Sequence, residues 1–80
     1  MKYTVTLTEY DAQGVRMEEV VEEGMLKDGD TPMNAQEWVE WAKGEQMDYS
    51  NHGKGVYENV ITVTYYGNDG EIIAQTEADA

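Results

Sequence analysis

Between Tyr3 and Tyr10 the chain alternates. Tyr3, Val5 and Leu7 fall on one side, and Thr4, Thr6, Thr8 and Tyr10 on the other. A period of two marks a strand with one buried face. Asp11-Ala12-Gln13-Gly14 follows and reads as a turn, with Gly14 free to take positive φ. Residues 56–66 repeat the pattern. Ile61, Val63 and Tyr65 share one face, and Thr62, Thr64 and Tyr66 the other. Gly67-Asn68-Asp69-Gly70 is a strong hairpin signal, and Glu71 to Glu77 reads as the returning strand, with Ile72 and Ile73 as its apolar content. Aligning Tyr10 with Tyr66 also aligns Thr6 with Thr62, Thr8 with Thr64 and Gly14 with Gly70. Both ends of the chain therefore read as hairpins with a Thr/Tyr outer face.

The segment Val15 to Glu23 fits a strand only if the alternation slips once, which a β-bulge would absorb. It also fits a helix, because Met17, Val20, Val21 and Gly24 fall at i, i+3, i+4 and i+7. The short glycine turn before it favours the strand over residues 15–26. The middle of the chain is helical over residues 35–46. Asn34-Ala35-Gln36-Glu37 has the shape of a capping box, and Trp38, Val39, Trp41 and Ala42 form a broad apolar face. Gly44 weakens the helix end and Met47 is placed to close it. Asp28 to Pro32 and Ser50 to Gly55 are loops. The order ββαββ predicts an α+β fold: a four-stranded antiparallel sheet with one helix on one face, in a single domain spanning 1–80.

Charge changes this picture more than composition does. Seventeen acids face five bases, for a formal net charge of -12. A globule of this length has a radius of gyration of roughly 12 Å, and crowding one sign of charge onto it opposes folding. Solubility alone needs a net charge of only about 2–8 in magnitude. A basic partner, a high-salt cytoplasm or chance would account for the excess. The acids are interleaved with Val, Ile, Trp and Tyr from Glu9 to Asp79, so the charge belongs to a folded surface and not to a disordered tail. The absence of cysteine removes disulfides, thiolate metal sites and a cysteine nucleophile, and points to the cytoplasm. The N-terminal alternation does not resemble a signal peptide, and no apolar run approaches the ~18 residues of a membrane span.

Candidate chemistry is sparse, and no cofactor is expected. His52 is the only histidine and sits in a glycine-rich loop without a second His or a Cys to share a metal. Ser50 is the only serine and lacks a nucleophile elbow. Asp28 and Asp30 could open a calcium loop, but Pro32, Met33 and Val39 break the pattern, so these acids read as turn formers. Gly53-Lys54-Gly55 lacks the spacing of a P-loop. A carboxylate pair for acid–base work needs a dry pocket, and a chain this short buries only about 60% of its surface. The expectation is a protein that is not an enzyme.

The acids themselves are the candidate site. Carboxylates two apart on a strand are nearly 7 Å apart, and those three or four apart on a helix are about 5–6 Å apart. DNA presents one phosphate per about 1.7 Å of axis. Glu18, Glu22, Glu37, Glu40 and Glu45 could approximate such a row and, with Glu19 and Glu23 in the same partner-binding cluster, attract a basic groove built for nucleic acid. Direct binding to nucleic acid or to anionic lipid is disfavoured for the same reason. Trp38 and Trp41 read as core anchors against Val5, Leu7, Ile61 and Val63. Alternatively, Trp41 stands at the rim beside Glu37 and Glu40 as an interface hot spot.

In size, charge, lack of cysteine and lack of an evident active site, the chain resembles the small phage anti-CRISPR and anti-restriction inhibitors, several of which mimic nucleic acid. The resemblance is one of type and is carried by no shared motif. It implies a CRISPR effector or restriction-type enzyme as partner. Two other readings stand beside it: an interaction or structural module of a phage or mobile element that uses its open Thr/Tyr sheet face, and an acid-rich protein of a halophile. The expected state is a monomer or a weak dimer that salt tightens.

Overall fold

The alternating segments pair as their periods demand. A computed structural model describes residues 1–50 and 52–80. It contains β1 (Lys2–Asp11), β2 (Gly14–Met25), α1 (Ala35–Gly44), β3 (Glu58–Tyr66) and β4 (Ile72–Asp79). The four strands form one antiparallel sheet in the order β2-β1-β3-β4. This is the α+β, ββαββ arrangement expected from the sequence.

β1 and β3 pair without a register shift, which sets Val5 opposite Val63 and Leu7 opposite Ile61. These four side chains are the largest that are fully buried. Each contributes about 1.5–3 kcal/mol by leaving water. α1 packs on the same face, against β3 and β4, and buries Ala35, Trp38, Val39 and Ala42. Its start is a complete capping box: Asn34 accepts from the Glu37 amide, and Glu37 accepts from the Asn34 amide.

Residues 15–26 are strand as far as Met25, but the pairing slips twice where the sequence predicted one slip. The shifts fall between Val5/Thr6 and between Glu9/Tyr10 of β1, leaving Val21 and Arg16 as the extra residues of β2. The first bulge lets Val21, with Met17, pack against the core. That explains the ambiguous pattern, since a bulged strand breaks the period of two locally.

The helix stops at Gly44, two residues short of expectation. Gln46 takes φ 63°, Gln46 N donates to Lys43 O, and Met47 N donates to Ala42 O. This pair of bonds is a Schellman motif, and it ends a helix by satisfying the last carbonyls. Met47 closes the end as expected, packing on the core. β4 runs to Asp79, beyond the predicted Glu77, and its Ile72 and Ile73 remain more than half exposed. Of the loop predicted at Ser50–Gly55, Asn51 lies outside the described residues.

On the face opposite α1, Thr4 pairs with Thr64 and Thr6 with Thr62. No second helix covers this face among the described residues, yet Thr4, Thr8 and Thr64 are buried. Neighbouring side chains shield them: the Tyr66 hydroxyl lies 3.2 Å from Thr4 Oγ1, and Gln75 Nε2 donates to Thr64 Oγ1 at 2.9 Å.

Candidate functional site

Adjacent residues of a strand point to opposite faces, and this divides the acid doublets of β2. Glu22 pairs with Val5 and Glu19 with Leu7, so both stand on the α1 side of the sheet. Glu23 pairs with Thr4 and Glu18 with Thr8, so both stand on the open face. Glu37 and Trp41 of α1 and its C-cap Glu45 follow at intervals of four and form one stripe. Trp38, on the inner side of that stripe, donates from Nε1 to Glu22 Oε2 at 2.8 Å. This bond shows that the Trp38 shoulder of the helix overlooks β2. Glu40 belongs to the other shoulder, where it accepts from Gln36 at 3.4 Å.

The eight predicted residues therefore do not form one surface. Glu19, Glu22, Glu37, Trp41 and Glu45 gather on the helix side. Glu18 and Glu23 lie behind the sheet, and Glu40 is turned away. Trp38 is a core anchor, whereas Trp41 is 40% exposed, with its ring centre 6.1 Å from that of Trp38. Trp41 thus takes the rim position, flanked in its stripe by Glu37 and Glu45.

Among the described residues, no Lys or Arg forms an ion pair with any of the predicted acids; Glu19 meets only His52 Nε2, at 3.9 Å. Two phenols sense the field. Burial raises the Tyr3 pKa above its ordinary value, and Glu22 and Tyr65 add to the rise. Burial also raises that of Tyr65. Glu37 and Glu22 push it further up, and its hydroxyl donates to Met33 O at 2.8 Å.

One charged group was missed in the sequence. Glu9 is 2% exposed, on the α1 side of β1. Its Oε2 lies 3.7 Å from Arg16 Nη1 and its Oε1 lies 3.8 Å from His52 Nε2. Asn59 is directly opposite on β3, and Asn59 Nδ2 donates to Tyr49 O. Glu9 Oε2 and Asn59 Oδ1 are buried without a hydrogen-bond partner among the described residues. The available signal was parity: Glu9 continues the inward series Tyr3, Val5, Leu7.

The other candidates resolve into local structure. Asp30 accepts from the Lys27 amide at 3.0 Å, the turn role expected of it. Ser50 Oγ donates to Asp48 Oδ1 at 2.7 Å. That side-chain bond, with a second from the Ser50 amide, lowers the Asp48 pKa. No group of three or more His, Asp or Glu among the described residues is arranged to hold a metal ion. No helix among them is long and apolar enough to cross a membrane.

No protein-family model, curated protein or solved structure matches the chain.

Proposed function

We propose that the protein is a small acidic inhibitor, not an enzyme, that occupies the basic nucleic-acid groove of a CRISPR effector or restriction-type enzyme in the cytoplasm of the host cell. The observation that carries this reading is the helix-side surface. Glu19, Glu22 and Glu37 sit on regular elements and Glu45 caps the helix, around the exposed Trp41, with no Lys or Arg in an ion pair with any of them among the described residues. A folded scaffold holds their spacing, so little ordering entropy is lost when a rigid basic groove closes on them. Trp41 supplies the desolvated anchor such an interface needs, and the acids supply steering and specificity. Glu22 is held in place by the Trp38 indole. The open-face reading has less support, because several threonines there are already buried against their neighbours.

The test is competition. A basic nucleic-acid enzyme retained by the protein from host lysate is assayed for DNA binding by gel shift, with and without the protein. The expected result is displacement of the DNA, falling off as salt rises because charges more than about 8 Å apart are screened. Changing Glu19 and Glu45 together to Lys weakens binding by about 2–5 kcal/mol if they meet desolvated basic groups. The same change at Glu18 and Glu23 has a much smaller effect. Undiminished DNA binding by the inhibitor-bound enzyme rules out mimicry.

A further inference from the structure

We propose that the outer edge of β4 takes an extended segment of a partner protein as a fifth strand, and that this segment alternates apolar with basic side chains. The site meets the acidic surface of α1 and β2 at Glu37 and does not depend on that surface's function.

One edge of the sheet is left open. β4 ends the sheet and pairs only with β3, so the backbone groups on its other side have no strand partner. Such an edge is a template for another strand unless charge, proline or a bulge disarms it. The stretch Ile72-Ile73-Ala74-Gln75-Thr76 has no charge and no proline. Its one register shift, at Ile73, falls near its beginning and leaves regular pairing from Ala74 to Asp79.

The side chains beside this edge choose the occupant. On the α1 side, Ile73 and Ala74 border a cleft of about 340 Å³ whose other walls include Met1, Pro32, Met33 and Tyr65. Ile73, on the cleft, is 54% exposed, and Ile72, whose partner Tyr66 stands on the open face, is 57% exposed. Every second side chain of an added strand would face this cleft side and gain by being apolar. The charge at the border has one sign. Glu37 lines the cleft, Glu71 precedes the strand, and Glu77 and Asp79 follow the uncharged stretch. Lysine or arginine at the remaining positions of the segment, on the open side of the sheet, answers Glu77 and Asp79, whose partners Thr62 and Val60 stand on that side. A second copy of the chain does not. It would bring another net charge of -12 and set a second Glu71, Glu77 and Asp79 beside the first.

The experiment uses the full chain, labelled for NMR, and a blocked peptide of roughly six residues alternating Lys with Val and Ile. A control peptide has the same sequence with alternate backbone amides methylated, so its charge and side chains persist while its ladder cannot form. The expected result is slowed hydrogen exchange and shifted amides along Ile72–Thr76, with the control about tenfold or more weaker. Ile73→Lys and, separately, Gln75→Lys should each reduce affinity by a similar factor while leaving the remaining spectrum in place. Equal binding by the methylated control overturns the proposal, as does a response centred on the acids of β2. So does a protein that self-associates through β4 and excludes the peptide.

Discussion

β2 and β4 are both edge strands, and each is tied to α1 by one hydrogen bond of 2.8 Å: Glu22 accepts from Trp38 Nε1, and Thr76 Oγ1 accepts from Ala35 N. The strands otherwise differ. β2 carries Glu18, Glu19, Glu22 and Glu23 and two bulges, which twist it and repel a strand approaching from outside. β4 begins with five uncharged residues, two of them exposed isoleucines. The tie on the β2 side ends on a carboxylate and the tie on the β4 side on a neutral hydroxyl. The contrast teaches that surplus charge is not spread evenly over this small body. It guards one margin and leaves the other able to pair.

The largest test of the contrast is Trp38→Ala. It removes a core ring and the donor that fixes Glu22, and should lower stability in urea by about 3–5 kcal/mol. Glu22→Ala should cost less, about 1.5–3 kcal/mol, because it strands an indole N–H that had a charged acceptor. Glu22→Gln keeps an acceptor and should recover most of that loss. On the other margin, Thr76→Val leaves the Ala35 amide without its side-chain acceptor and should cost about 1 kcal/mol. If Thr76→Val proves the costlier of the two ties, the ranking of the margins is wrong.

Two smaller effects concern the end of α1 and the phenols Tyr3 and Tyr65. Gln46 occupies the left-handed region that ends α1, so Gln46→Gly should raise stability by about 0.5–1 kcal/mol, read as a higher melting temperature. The last is a pH effect. Tyr3 and Tyr65 have raised pKa values in the fold, so the unfolded chain loses their protons first. Their contribution is whole below about pH 10, the ordinary phenol value, and is lost as pH rises through the raised folded values. Urea midpoints followed into alkali should fall, and Tyr3→Phe should flatten the fall.

Much of the fold was legible because the period of two survives in β1 and β3, where both faces are shaped by packing. The helix start was legible as well, since Asn34 and Glu37 stand at capping-box spacing. Its end was not: a Gln at the left-handed position gives no sign of itself, while Gly44 nearby draws attention. The stripe Glu37–Trp41–Glu45 was written in a spacing of four. The doublets Glu18-Glu19 and Glu22-Glu23 misled, because neighbours in sequence are read as neighbours in space, and a strand separates them. Parity alone would have split each doublet, but the position of the bulge at Val21 decides which members face α1, and bulges leave no firm mark in sequence. Glu9 was hidden by its charge, which draws it into the count of surface acids although it is buried.

The sheet order has a consequence in time. β1, which precedes the other three strands in the chain, lies in the centre and pairs on one side with β3, where Lys2 meets Tyr66. The two hairpins can close locally within microseconds, but neither owns a complete core until they dock on each other. Docking must close the long chain between them before its contacts repay the loss of freedom, which places the protein among the slower folders for its size. Like charges on the approaching halves raise that barrier further, so added salt should quicken refolding. Every residue through β3 must also have left the ribosome before β1 can gain its second neighbour.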